Sequence, residues 1–253
     1  MLSSNETLRK LESGSAVDGA WLLSGSARTA EVIARTGVDW IGIDTEHSPY
    51  SPERVEALVR AVEPGATPLV RLPSVQTAIS GGAKHALDSG ARGVIVPNVE
   101  TAADARRVVR ATYVPPDGER GIAGTTRANV YGEAFDEYVA GVNDETLVAV
   151  QIESPAAVER IEEILAVEGI DVVFVGENDL SSAVGRPGET DHPAVTTAVD
   201  RVLEVAREAD VYPGIAGRTP VTRAERAERG FRFFLIGADL TFVRRGVAEF
   251  LSE

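Results

Sequence analysis

A chain of 253 residues with 43% hydrophobic content can bury a sizeable core, as one α/β barrel or two small domains, and no break in composition argues for two. A net charge of −14 and a pI near 4.8 argue against nucleic acid as a partner, because duplex binding needs a basic patch. Cysteine is absent, which excludes disulfides, thiolate catalysis and Cys-ligated metals.

The first fifteen residues lack the apolar stretch of a signal peptide, and no apolar run approaches the roughly 18 residues of a membrane helix. A soluble, cytoplasmic protein with no membrane partner is the expectation. Lysine is confined to Lys10 and Lys84, beside 39 acidic residues. Such an acidic, lysine-poor surface predicts adaptation to high salt, where screening removes the mutual repulsion of carboxylates; the alternative is a merely acidic mesophilic protein.

In chain order, β-branched and apolar runs predict strands near 18–23, 38–43, 68–72, 93–96, 147–152, 171–175, 211–216 and 232–236. Helix-period segments lie between them near 28–36, 52–62, 75–89, 101–111, 155–166, 193–209, 220–229 and 239–251. Several open on cap or first-turn residues such as Ser51-Pro52, Thr101 and Ser154-Pro155. Eight βα pairs in about 250 residues is the rhythm of one (β/α)8 TIM barrel, read as one domain over residues 1–253. Two connections exceed a turn: 113–146 and 183–192, rich in Gly and Pro, are both expected to hang over the carboxyl face.

The chemistry concentrates between 147 and 182. Two strands there flank a helix, and an acid follows each: Glu153 directly, Asp179 four residues on. Parallel neighbours would bring both carboxylates to the carboxyl edge, as hard oxygen ligands for a divalent cation with positions left for water and substrate. Asp44-Thr45-Glu46-His47 ends the second strand and places His47 to move protons near neutral pH; the alternative is a loop histidine beside a capping Asp. Arg71 closes the third strand, where its fork suits a carboxylate or a developing enolate oxygen, or a neighbouring strand-end acid. Gln151 lies on the same side of its strand as Glu153 and could meet substrate, orient a ligand or fill the barrel. Peptide N–H groups near Glu177 and Asn178 could meet an anion. Asp88, His85 and His192 read locally as surface. A Schiff base needs a lysine at a strand end, and neither Lys10 nor Lys84 is placed there.

IDTEHSPYSPE, PLVRLP, ALDSGARGVIVPNVET, ATYVPPDGERG, VQIES and VFVGENDLS, in that order over about residues 30–250, resemble the HpcH/HpaI class of metal-dependent pyruvate aldolases. The resemblance implies a (β/α)8 barrel, commonly a hexamer of dimers that exchange the last helix. It makes Glu153 and Asp179 the ligands of a divalent ion (Mg, Mn or Co), His47 the catalytic base and Arg71 the stabiliser of a pyruvate enolate. It moves Asp88 from the surface to a role across a subunit interface, next to the catalytic histidine. Gln151 and backbone amides near Asn178 and Asp179 would contact pyruvate, and Trp21 would stand at the mouth. GENDLS in place of the usual GPADLS, and PGIAGRT after the seventh strand, depart from the pattern and bear on the aldehyde partner.

The expected reaction is cleavage of a 4-hydroxy-2-oxo acid to pyruvate and an aldehyde, and its reverse. The alternatives are a lyase acting on a coenzyme A thioester of the malyl, citramalyl or citrate lyase beta type, and a noncatalytic metabolite-binding barrel.

Overall fold

The computed structural model describes residues 4–252. In chain order the elements are α1 (Glu6–Glu12), β1 (Val17–Leu22), α2 (Ala27–Ala34), β2 (Trp40–Asp44), α3 (Pro52–Val62), β3 (Thr67–Arg71), α4 (Val75–Thr77), a π-type turn (Ala78–Gly82), α5 (Ala83–Asp88), β4 (Gly93–Val96) and α6 (Ala102–Thr112). A 3-10 stretch (Arg127–Gly132) and α7 (Phe135–Gly141) precede β5 (Leu147–Ile152), α8 (Pro155–Glu159), α9 (Ile161–Leu165), β6 (Val172–Val175) and α10 (Glu177–Ala183). The chain ends in α11 (Pro193–Glu208), β7 (Tyr212–Ala216), α12 (Pro220–Glu228), β8 (Phe233–Ala238) and α13 (Asp239–Leu251).

Among the described residues the eight strands pair in parallel, each with the next in sequence, and β8 closes onto β1. This is the (β/α)8 barrel that the sequence pattern predicts. The expected caps operate: Ser51 accepts from Arg54 N, Thr101 from Asp104 N and Ser154 from Ala157 N, with Pro52 and Pro155 in the first helical turns. Two expected helices are interrupted. The 75–89 segment kinks at Gly81, whose φ of 106° only glycine adopts freely, and the 155–166 segment breaks at Arg160.

Alternation along the strands builds two cores. Ile41, Ile43, Val148, Val150 and Val173 face the helices, while Trp40, Leu69, Ile95, Leu147, Phe174 and Phe233 fill the lumen. α1, on a stretch with no predicted element, sends Leu8 and Leu11 into the lumenal cluster. Thr7 donates to Asp39 O and to Thr67 Oγ1, and the Asn5 amide donates to Arg92 O, so α1 plugs the amino end. Each buried leucine contributes roughly 1.5–3 kcal/mol relative to exposure.

One expectation fails. Residues 113–146 connect α6 to β5, an αβ link, and therefore lie at the amino end and not over the carboxyl face. Arg127 pairs there with Glu63 and donates to Ser89 O, and the Asn143 side chain bonds both backbone groups of Val114. Residues 183–192 follow β6 and α10 and do lie on the carboxyl side, where Gly188 N donates to Ser181 Oγ.

Candidate active site

The lumenal positions of β2 are Trp40, Gly42 and Asp44, by alternation with the outward Ile41 and Ile43. Gly42 registers with Trp21 of β1, and a Cβ on it would sit 2.1 Å from the Trp21 ring; the missing side chain lets that indole lie across the barrel. Asp44 registers with Arg71 of β3. The two side chains meet in a bidentate pair, Arg71 Nε to Asp44 Oδ1 at 3.0 Å and NH2 to Oδ2 at 2.7 Å. Arg71 also stacks over Trp21, 4.4 Å from the ring centroid, and its NH1 stands 2.9 Å from Glu46 Oε2. The guanidinium is thus fixed by an acid on its own sheet layer, an acid in the next loop and an aromatic floor.

Across the mouth, Gln151 of β5 donates its Nε2 to Glu153 Oε1 at 2.9 Å, and Asn98 N donates to Glu153 Oε2 at 2.9 Å. A Cβ on Gly176 would fall 2.6 Å from Glu153 Oε1, so only glycine lets this carboxylate lie flat against the end of β6. Burial pushes the Glu153 carboxyl up to about 7; the charges of Glu46 and Asp179 push the same way, against the Asn98 N–H and Arg71. Glu46 is likewise raised, by burial first, with Arg71 opposing. Asp179 is exposed in the first turn of α10 beside exposed Asn178.

The site is short of positive charge. Asp44, Glu46, Glu153 and Asp179 surround one guanidinium, and the buried oxygens Gln151 Oε1 and Glu46 Oε2 make no hydrogen bond of normal geometry. A surplus of acceptors that are all oxygen fits a hard divalent cation, and Glu153 and Asp179 are the carboxylates that could hold one. Among the described residues no three His, Cys, Asp or Glu converge to hold an ion, so this group would supply no more than such a pair.

His47 follows in the same loop, with 64% of its side chain exposed and Nε2 at 3.7 Å from Glu46 Oε2. Its backbone N–H, with that of Glu46, points at Asp44 Oδ1, so the carboxylate that grips Arg71 also shapes the histidine loop. Asp88 is not brought to this mouth within the chain. It ends α5 at the opposite end of the barrel, half-buried, 3.8 Å from Arg120, with its carboxyl raised by burial. That corrects its reading as a surface residue. His85 is exposed, and His192 caps α11 by accepting from Ala194 N.

Residues 18–245 match the profile of the HpcH/HpaI aldolase/citrate lyase family. The chain belongs to this family. Its relatives include the hydroxypyruvate/pyruvate aldolase of Sagittula stellata, 38% identical over 96% of this chain and 95% of that protein. The 2-keto-3-deoxy-L-rhamnonate aldolase of Klebsiella pneumoniae is 37% identical over 94% of this chain and 88% of the relative. Among solved structures, an HpcH/HpaI aldolase/citrate lyase family protein from Burkholderia cenocepacia superposes with a TM-score of 0.91 at 35% identity, covering 99% of this chain and 98% of that one.

In this HpcH/HpaI member, then, the barrel mouth collects Trp21, His47, Arg71, Gln151, Glu153, Asn178 and Asp179 from five strand ends. Sequence reasoning gave Glu46 no role of its own, although its place between Asp44 and His47 was the available signal. It missed Asn98 N, which donates to Glu153 from a residue in the left-handed region (φ 53°), because backbone donors carry no side-chain signature.

Proposed function

We propose that this chain is a divalent-metal-dependent aldolase that cleaves a 4-hydroxy-2-oxo acid to pyruvate and an aldehyde, and runs the reverse addition. The observation that supports it is the excess of carboxylates, Asp44, Glu46, Glu153 and Asp179, with the donorless Gln151 Oε1, beside a guanidinium held rigid by Asp44. A hard cation (Mg, Mn or Co) held by those two carboxylates supplies Lewis acidity toward the 2-oxo acid.

Arg71 is preorganised: Asp44 takes Nε and NH2, so the fork does not have to reorganise when enolate charge develops beside it. Gln151 orients Glu153 through Nε2 and keeps Oε1 for a bound donor such as a water or a hydroxyl. His47 takes the proton of the C4 hydroxyl; the electrons of that O–H bond form the aldehyde carbonyl as the C3–C4 bond breaks, and its pair passes to the pyruvate enolate. Protonation at C3 then gives pyruvate. Asp88 we assign to a His47 of another subunit, in a homo-oligomer for which a hexamer is the reading, because the two residues lie at opposite ends of one barrel.

Schiff-base chemistry lacks its residue: Lys10 sits in α1 at the amino end, paired with Asp39, and Lys84 is on the exposed side of α5. The test is turnover of oxaloacetate and of a panel of 4-hydroxy-2-oxo acids, before and after chelation. Activity lost to chelator, restored by Mn²⁺ and untouched by borohydride with pyruvate is the expected result. Saturable pyruvate binding without turnover favours the noncatalytic barrel, and turnover confined to coenzyme A thioesters favours the lyase alternative.

A further inference from the structure

The two carboxylates at the mouth are held in different ways. Glu153 is fixed locally by Asn98 N, by Gln151 Nε2 and by the close floor of Gly176. Asp179 has no such harness: among the described residues no hydrogen bond reaches its carboxylate, so its position follows that of α10. α10 is a seven-residue helix, and its first residue, Glu177, is buried at 7% exposure while Asn178 and Asp179 are open to solvent.

Glu177 is buried because it faces an arginine. Arg226, in the last turn of α12, donates from NH1 to Glu177 Oε2 at 2.7 Å and from NH2 to Oε1 at 2.6 Å. The same NH1 donates to the carbonyl of Ala216, the last residue of β7. One guanidinium therefore ties the first turn of α10 to the carboxyl end of β7 and to α12. A planar fork bonded at both oxygens fixes orientation as well as distance, and it grips α10 two residues before Asp179.

We propose that Glu177 and Arg226 are a positioning pair that sets α10, and with it the Asp179 carboxylate, at the spacing from Glu153 that one shared cation requires. The inference rests on the reading of Glu153 and Asp179 as cation ligands. It also gives Glu177 its physical alternative: a proline at the first position of a helix fixes φ and loses no helical hydrogen bond, so it stiffens the same turn with no partner on α12.

The test is a titration of chelator-stripped full-length protein with Mn²⁺, free ion read by electron paramagnetic resonance, with the melting temperature of each variant alongside. Glu177→Ala and Arg226→Gln should each weaken Mn²⁺ binding by roughly 10–100-fold, the usual worth of an outer partner to a ligand. Glu177→Pro should return the affinity to within about threefold of the parent, because the turn is again preorganised. A pair that only stabilises α12 would lower the melting temperature of all three variants and leave the affinity alone. Glu153→Gln separates the two layers of the argument. If it abolishes binding while Glu177→Ala changes nothing, or Glu177→Pro binds as weakly as Glu177→Ala, the positioning role is wrong. If Mn²⁺ binds equally well without Glu153, the ligand reading is wrong and the pair's role goes with it.

Discussion

The two ends of this barrel each bury a carboxylate whose ionisation is held back to about 7, and they do opposite things with it. At the amino end Asp171 accepts from Val148 N at 2.7 Å, in a setting that α1 and the 113–146 segment close with polar contacts: Asn5 to Arg92 O, Thr7 to Thr67, Arg120 to Thr112 O and Tyr138, while the buried atom left over on Arg120, NH2, is a donor and not an acceptor. At the carboxyl end Glu153 shares the mouth with Asp44, Glu46 and Asp179; Gln151 Oε1 has no donor there, and Glu46 Oε2 faces Arg71 as an ion pair. Burial alone does not mark a site, since both acids are buried. What distinguishes the mouth is acceptor surplus beside a rigid cationic fork, an arrangement that costs stability and is relieved by a ligand.

The sharpest way to break this contrast is Glu153→Gln, which keeps the shape and removes the charge. Mn²⁺ binding should be lost and turnover should fall by roughly 10²–10⁴-fold, the several kcal/mol a Lewis acid supplies. The same change should leave the fold intact or raise the melting temperature, because a repelling carboxylate has been removed. A melting temperature that drops sharply would make Glu153 a structural acid and not a ligand.

Asp171→Asn probes the other end. The folded-state carboxyl is raised from 3.8 to about 7, first by burial, so the folded protein holds a proton that the unfolded chain gives up earlier. This group's contribution is fully present below about pH 4 and is lost as pH rises through about 7. Asp171→Asn should remove that slope: its stability relative to the parent should improve, by on the order of 2 kcal/mol, between about pH 5 and pH 8. Urea melts at both pH values, with activity unchanged at saturating Mn²⁺, give the check. A parallel shift at both pH values would mean that Asp171 does not titrate there.

The smallest effect concerns the surface. With 39 acids against 25 basic side chains, melting temperature should rise by a few degrees from dilute buffer to about molar KCl, as repulsion is screened within a few Å. A flat or falling trend would remove the high-salt reading.

The barrel was legible because strand and helix periods alternate over the whole chain: β4 and β5 fall on the predicted residues 93–96 and 147–152, and α3 on 52–62. α1 was not, since seven residues between polar neighbours carry too little periodicity and gain their stability from the lumen they plug. The misplacement of 113–146 has a simple cause. Its Pro, Gly and Arg content says loop, but which face a loop serves depends on whether a strand or a helix precedes it, and here α6 does. At the site, the strand-end positions of Arg71, Gln151 and Glu153 were readable from alternation, whereas the Asn98 amide and the Glu177–Arg226 tie arise only once distant segments meet. Asp88 gave no local signal of its setting, because its neighbour Arg120 comes from the 113–146 segment, distant in sequence.

The central claim is that His47 and Arg71 do separate jobs at one mouth, and two substrates on two variants test it most directly. Oxaloacetate loses CO₂ to give pyruvate enolate with no hydroxyl proton to remove, while aldol cleavage needs that proton taken. At checked metal occupancy, His47→Ala should lose aldol cleavage by roughly 10²–10⁴-fold and keep most oxaloacetate decarboxylation, whereas Arg71→Ala should impair both reactions. Equal loss of both activities in His47→Ala would contradict the account, assigning His47 to binding and leaving the proton acceptor to another group.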